Sequence, residues 1–382
     1  MSCYARITGW GKYVPEKVLT NDDLARMVDT SDEWITAHTG IKRRHIRSGH
    51  ETASSMAVNA SRPALEKAGI TPQDLDLIIV ANNSPDYILP GVANIVQDRL
   101  GASCGAFTLV NGCSGWVYAL VTATQFIQTG MYDNVLVVGV EVISFAVDWE
   151  DRRTCILFGD AAAAVVLQPS EEPAGVLTFD LGSDGSGAQY LYVPAGGTVK
   201  PIATHAESIA ANREGYIRMN GQALLRFATR TVARSLKRVI YQAGLTPDDI
   251  DLFIPHQANA RLIEFFARQM HQPLDKFFVN LHKYGNTSAA SVPLALVEAI
   301  EEGRVKSGDT IAIAAFGAGL TWASAVLQIG VGEISPAHRL FSLGRARYMA
   351  KRAQEALLDT AQAIALPLYT FMRLRRRGSR HQ

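Results

Sequence analysis

The sequence predicts an α/β protein built as a layered sandwich of two similar halves. Three observations carry that prediction. The segment AGITPQDLDLIIVA (68–81) is echoed by AGLTPDDIDLFIPH (243–256), each reading as helix end, glycine, turn and strand. A second echo follows in the same order, GDAAAAVVLQ (159–168) against LTWASAVLQ (320–328). Two echoes in one order at similar offsets indicate a duplicated half-chain. The apolar runs LDLIIVA, NVLVVGV and TIAIAAF are those of parallel strands covered by helices on both faces. At 382 residues the chain has room for two such halves. They are expected over 1–170 and 171–335, with a separate extension over 336–382.

Composition narrows the class. The net charge is +1 and the residue usage is that of an ordinary soluble protein, which argues against a nucleic-acid partner. The four cysteines, Cys3, Cys104, Cys113 and Cys155, show neither CxxC pairing nor metal-ligand spacing, so no disulfide framework and no zinc site are expected. The first residues lack a charged segment followed by an apolar one, so a cytoplasmic location is expected. Charge is uneven, however. Residues 338–382 carry ten Lys and Arg against Glu355 and Asp359, a net of +8 that leaves −7 on the remainder.

Taken in order, residues 4–18 read as a strand and turn. A short helix then starts in TNDDLARMV behind Thr20 or Asn21 as its cap. Residues 30–46 group Trp34, His38, Arg43, Arg44 and His45 without clear periodicity, the look of an aromatic and basic loop suited to a nucleotide-bearing ligand. A helix is expected from Ser54 to Lys67, stopped by Gly69. Ala106 to Val110 reads as a buried strand. The small-residue turn Asn111–Gly115 follows, and then a helix from about Trp116. Residues 170–218, rich in Gly, Pro and Ser, read as a connection with loops. A strong helix is expected over 219–244, with Arg226, Arg230, Arg234 and Arg238 stacked on one face at four-residue intervals. That stripe is either a solvated face or a dock for an acidic partner.

Three residues stand where chemistry is expected. Cys113 sits on a tight bend at a helix N-terminus, where the helix dipole favours a thiolate; a buried structural cysteine is the other reading. His256 ends the duplicated strand, the place where α/β proteins build their sites. Asn286 precedes a helix over 289–302 and is either its cap or a side-chain N–H donor in the site. The small-residue loop in FGAGLTW (316–322) can present backbone N–H groups to a developing oxyanion.

Together NGCSGW, HQAN, YGNTSAAS, DEWITAHTGI, LFGDAAAAV and FGAGLTW resemble the motifs of the β-ketoacyl-acyl-carrier-protein synthase III family, thiolase-fold condensing enzymes. The resemblance runs from about residue 3 to residue 330, in order and with matching spacing. It implies a five-layer αβαβα sandwich. It also implies that Cys113 is acylated by an acyl-CoA, that the backbone N–H groups of Cys113 and Ala318 form an oxyanion hole, and that His256 and Asn286 stabilise the enolate of malonyl-carrier protein. Trp34, Arg152, Gln222 and Asn259 match CoA contacts; Arg226, Arg230 and Arg261 match a carrier-protein dock; Leu89, Phe158 and Phe316 match the acyl pocket. Acyl carrier protein and acyl-CoA are the implied partners, a homodimer the implied assembly, and no metal or tightly held organic cofactor is implied.

The chain departs from the family pattern at three of these positions. His38 replaces an Arg near the CoA phosphates, Gln222 replaces an Asn, and Leu89 replaces the Phe that closes short-chain pockets, which predicts tolerance of acyl chains longer than acetyl. Two alternatives keep the fold: an acyltransferase with a different acceptor, and a non-catalytic partner subunit. The basic extension reads either as a peripheral anchor on anionic lipid or as a segment packed on the acidic body.

Overall fold

The structure, a computed structural model, describes residues 4–330. The extension over 336–382, with its expected helix and lipid contact, lies outside the described residues.

Two sheets repeat one topology. The first orders its strands Tyr4–Tyr13, Ala161–Ser170, Val135–Glu141, Leu77–Ala81 and Gly105–Leu109; the second orders Gly175–Ser183, Thr321–Gln328, Thr310–Gly317 and Leu252–Pro255. In each, the first two steps are antiparallel and the next is parallel. The first sheet then adds a parallel edge strand, whose counterpart in the second is a single parallel bridge between Phe253 and Phe277. The echoed segments occupy equivalent places: Thr71 with Asp74 and Thr246 with Asp249 form matching capping boxes one turn before equivalent strands.

Helices complete five layers. Gly115–Gln128 and Ser291–Glu301 lie between the sheets, in one core with the inward residues of both. Ala53–Ala68 and Val92–Leu100 cover the outer face of the first sheet, and Ala233–Gln242 and Ala260–Met270 that of the second. The central pair is apolar over most of its surface because it meets a sheet on each face.

Four expectations are corrected. Residues 32–39 form a helix, because Ser31 accepts from the Trp34 N–H, Asp32 and Glu33 occupy the first turn and Gly40 closes it at φ 79°. Gly175–Ser183, inside the expected connection, is a strand of the second sheet. The helix over 221–242 contains a π segment at Ala228–Val232. Gly105–Leu109 is an edge strand and largely uncovered, with Phe107 exposed and Val110 just beyond it 73 % exposed.

Candidate active site

Cys113 lies in a 3-10 turn, Gly112–Ser114, that leads from the edge strand into the central helix. Gly112 is left-handed at φ 59°, and a Cβ on it would lie 2.7 Å from the Ala318 carbonyl oxygen and 2.8 Å from the Ala318 nitrogen. A Cβ on Gly317 would lie 2.4 Å from the Cys113 nitrogen. Two glycines thus let the Cys113 turn and the 317–318 backbone touch, which sets the Cys113 and Ala318 amides side by side. The Asn83 side chain grips Gly112 from the other side, accepting from its N–H at 3.0 Å and donating to its carbonyl at 3.2 Å.

His256 directly follows the Leu252–Pro255 strand, and its N–H extends the ladder to the Ala314 carbonyl at 2.7 Å. The ring is buried edge-on to Phe316 at 5.3 Å. Burial lowers its pKa to about 3, so the imidazole is neutral at physiological pH. Its Nδ1 is buried without a partner among the described residues.

Asn286 is held by three backbone bonds: its N–H to the Leu157 carbonyl at 2.8 Å, its carbonyl to the Gly159 N–H at 3.1 Å, and its Oδ1 to the Ser288 N–H at 2.9 Å. With Oδ1 occupied, the side chain's remaining polar end is the Nδ2 donor. Arg44 supports this corner from a fully buried position, donating to Ile156, Leu19 and Asn21.

Cys113, His256 and Asn286 all line one cavity of about 250 Å³, with Phe158 and Phe316 on its wall and His38, Asn259 and Arg261 also lining it. A second cavity of about 180 Å³ also reaches Cys113; Ile143, Ala146, Ile217 and Ala318 line it. Cys113, Phe158 and Leu191 belong to both, so the two cavities meet at the thiol. Phe145, Tyr192 and Val193 line the second one while remaining exposed, so one chain closes it incompletely.

The mouth is built as a basic and aromatic cluster. Trp34 stacks on His38 at 4.2 Å and 23°, and the Arg152 guanidinium lies 5.1 Å from the Trp34 ring. Asn259 caps the Ala260–Met270 helix and donates to the His38 carbonyl at 3.0 Å; Arg261 donates to the Ala37 carbonyl at 2.9 Å. Gln222 is exposed and does not line the cavity, although its neighbours Gly221, Leu224 and Leu225 do. Arg226, Arg230 and Arg234 are exposed, and the fourth member of the stripe, Arg238, reaches Asp180 at 2.9 Å.

One expectation is not met within a single chain, and another fails. Leu89 lines neither cavity of its own chain; it is 83 % exposed, on a loop whose Gly91 abuts Thr108 of the edge strand. The thiolate expected of Cys113 is not favoured either: burial pushes the thiol up to about 12. Sequence reasoning missed Ser288 and Glu141. Both are buried, and Ser288 Oγ lies 3.4 Å from Cys113 Sγ.

Comparison with known proteins agrees with this geometry. Residues 107–185 match the family model of 3-oxoacyl-[acyl-carrier-protein] synthase III, and residues 240–329 match that of its C-terminal part. The chain is 51 % identical over 325 residues to the β-ketoacyl-[acyl-carrier-protein] synthase III of Caldanaerobacter subterraneus, covering 85 % of this chain and 97 % of that one. It belongs to the β-ketoacyl-acyl-carrier-protein synthase III family. The Symbiobacterium thermophilum synthase III is 49 % identical over 85 % of this chain and 98 % of its own. The crystal structure of the Aquifex aeolicus synthase III superposes with a TM-score of 0.79 at 45 % identity, covering 85 % of this chain and 99 % of that one. The five-layer architecture is therefore that of a thiolase-fold synthase III.

Proposed function

We propose that Cys113 of this synthase III accepts an acyl group from acyl-CoA and passes it to malonyl-acyl carrier protein, giving a β-ketoacyl-carrier thioester that starts fatty-acid synthesis. One observation carries the reading: a buried thiol and two neutral donors, His256 and Asn286, line a single cavity. In the first half-reaction the pantetheine arm threads the larger cavity and the acyl chain enters the smaller one. The Cys113 and Ala318 N–H groups receive the carbonyl oxygen as negative charge builds on it. In the second, loss of carbon dioxide from the malonyl group leaves an enolate, which His256 and Asn286 stabilise. Both are neutral donors, so they hold the oxygen without quenching the carbanion, which then attacks the acyl-Cys113 carbonyl.

The mouth fits the two carriers. Trp34, Arg152, His38 and Asn259 suit the adenine and phosphates of CoA, with Gln222 nearby on the rim. Arg226, Arg230 and Arg261 suit an acidic carrier protein. The incomplete wall of the smaller cavity and the exposure of Tyr87, Ile88, Leu89, Phe107 and Val110 support a homodimer. In that assembly Leu89 would reach an acyl pocket from the second copy.

Release of labelled bicarbonate from malonyl-carrier protein tests the chemistry. Release that depends on prior acyl loading of Cys113 supports the condensation. An acyl adduct that another acceptor removes, without release, favours an acyltransferase of different chemistry.

A further inference from the structure

Cys113 must lose a proton to become a nucleophile. Burial holds the thiol high, and the same burial leaves the imidazole a poor proton acceptor. The geometry offers another route. Cys113 Sγ lies 3.4 Å from Ser288 Oγ, and Ser288 Oγ lies 3.1 Å from Glu141 Oε1.

The direction of each bond can be read from the partners. Glu141 ends the Val135–Glu141 strand and is wholly buried. It accepts from the Asn83 N–H, from Asn83 Nδ2 at 2.5 Å and from the Ala289 N–H at 3.4 Å. It also accepts from the Ser84 hydroxyl at 2.5 Å; Ser84 in turn receives the Val142 N–H at 2.7 Å, so its own proton faces Glu141. Burial raises the Glu141 carboxyl above its ordinary value while the hydrogen bonds from Ser84, Asn83 and Ser288 oppose that rise, so a carboxyl surrounded by donors alone is arranged as a proton acceptor. Ser288 therefore donates its proton to Glu141 and keeps a lone pair for the Cys113 S–H. The Ser288 backbone is left-handed at φ 51°, rare for a residue other than glycine, and its N–H is tied to Asn286 Oδ1. This conformation puts the hydroxyl between thiol and carboxylate.

We propose that Glu141, acting through Ser288, takes the Cys113 proton during acyl loading. As Sγ attacks the thioester carbonyl, the S–H proton moves to Ser288 Oγ while the Ser288 proton moves to Glu141 Oε1. The carbon–sulfur bond to CoA then breaks and its electron pair leaves with the CoA thiolate. The same proton returns through Ser288 to that thiolate, so Glu141 ends as a carboxylate, Cys113 as a thioester and CoA as a thiol. The inference rests on Cys113 being the acylated residue. Residues 82–84 and 288–290, packed against Glu141, bring no ionisable side chain, and Cys113 lies beyond Ser288. Asp160 stands next to Ala161 of the paired strand and is bound to Ser144 and the Arg47 N–H, and His256 lines the larger cavity with the thiol.

The test is the rate at which iodoacetamide alkylates Cys113 in the full chain between pH 5 and 10, read by intact mass. It compares the wild type with Ser288→Ala, Ser288→Gly and Glu141→Gln. Alkylation at pH 7 is expected to fall about tenfold in all three, and in the two Ser288 variants the midpoint of the pH profile moves upward, because the Ser288 hydrogen bond lowers the thiol. The melting temperature of each variant is read alongside, so that loss of alkylation in a folded protein is told from a collapsed site. Wild-type alkylation rates and an unchanged profile in the Ser288 variants overturn the relay. So does a loss of alkylation confined to variants whose melting temperature also collapses, because that marks a collapsed site. A wild type that shows the expected profile but takes no acyl group from any acyl-CoA refutes the proposed donor and leaves the relay standing.

Discussion

Gly317→Ala perturbs the oxyanion hole chiefly through the backbone. The added Cβ would sit 2.4 Å from the Cys113 nitrogen, 3.0 Å from its Cβ and 3.2 Å from its Cα, where ordinary contact begins near 3.4 Å. The obstructing atoms are mainly backbone, so the Cys113 turn and the 317–318 segment must separate by about 1 Å, and a shift of that size at reacting atoms costs on the order of 100-fold. Loss of one oxyanion donor costs about 10²–10³ in kcat, so the two estimates agree. The overpacking itself costs about 1–3 kcal/mol of stability, which a chain with this much core withstands. Quenched-flow mass spectrometry would read acyl-Cys113 formation, with Gly49→Ala, whose Cβ meets nothing within 4 Å, as the control. Acylation is expected to fall about 100-fold while malonyl-carrier decarboxylation, served by His256 and Asn286, falls much less. Acylation at the wild-type rate in a variant with the wild-type melting point would refute the assigned oxyanion hole.

Three further outcomes follow from the same geometry. Burial lowers His256 to about 3 from the usual 6.5, so the unfolded chain takes up a proton that the folded one refuses. Its contribution is full above about pH 6.5 and is lost as pH falls towards 3. His256→Ala should therefore lose less melting temperature than the wild type between pH 7 and 5, while His45 and His282, also lowered by burial, act equally in both proteins. Equal acid slopes would contradict a buried neutral imidazole. Arg226→Glu should raise KM for malonyl-carrier protein about tenfold, less so at high salt, and leave acylation by acyl-CoA unchanged; an unchanged KM removes Arg226 from the dock. Leu89→Phe should shift the acyl-CoA preference to shorter chains if a second copy closes the smaller cavity, and an unchanged preference argues against that closure.

The architecture was largely legible because its signals are local. The Thr-Pro-x-Asp turns before Leu77 and Leu252 carry their own capping boxes, and uninterrupted apolar strands imply helices on both faces. Cys113, His256 and Asn286 were legible because each follows a strand end or a glycine turn. The helix over 32–39 was legible in principle, from Ser31 and Gly40, but its mixed aromatic and basic face hid the period. Glu141 and Ser288 were not legible. A glutamate ending a strand ordinarily points to solvent, and a serine in an Asn-Thr-Ser run ordinarily caps a helix. Only the packing of residues 82–84 and 288–290 around one carboxylate separates these two from that default. The exposure of Gly105–Leu109 was equally hidden, since an apolar edge strand and a buried one read alike along the chain.

The most direct measurement is the intact mass of the protein after mixing with a ladder of acyl-CoAs, followed by a chase with malonyl-acyl carrier protein and with Cys113→Ala in parallel. One acyl adduct is expected on the wild type, absent from the variant, and the chase should convert it into a β-ketoacyl-carrier product. An adduct that persists through the chase, or that also forms on Cys113→Ala, would contradict the condensation at Cys113.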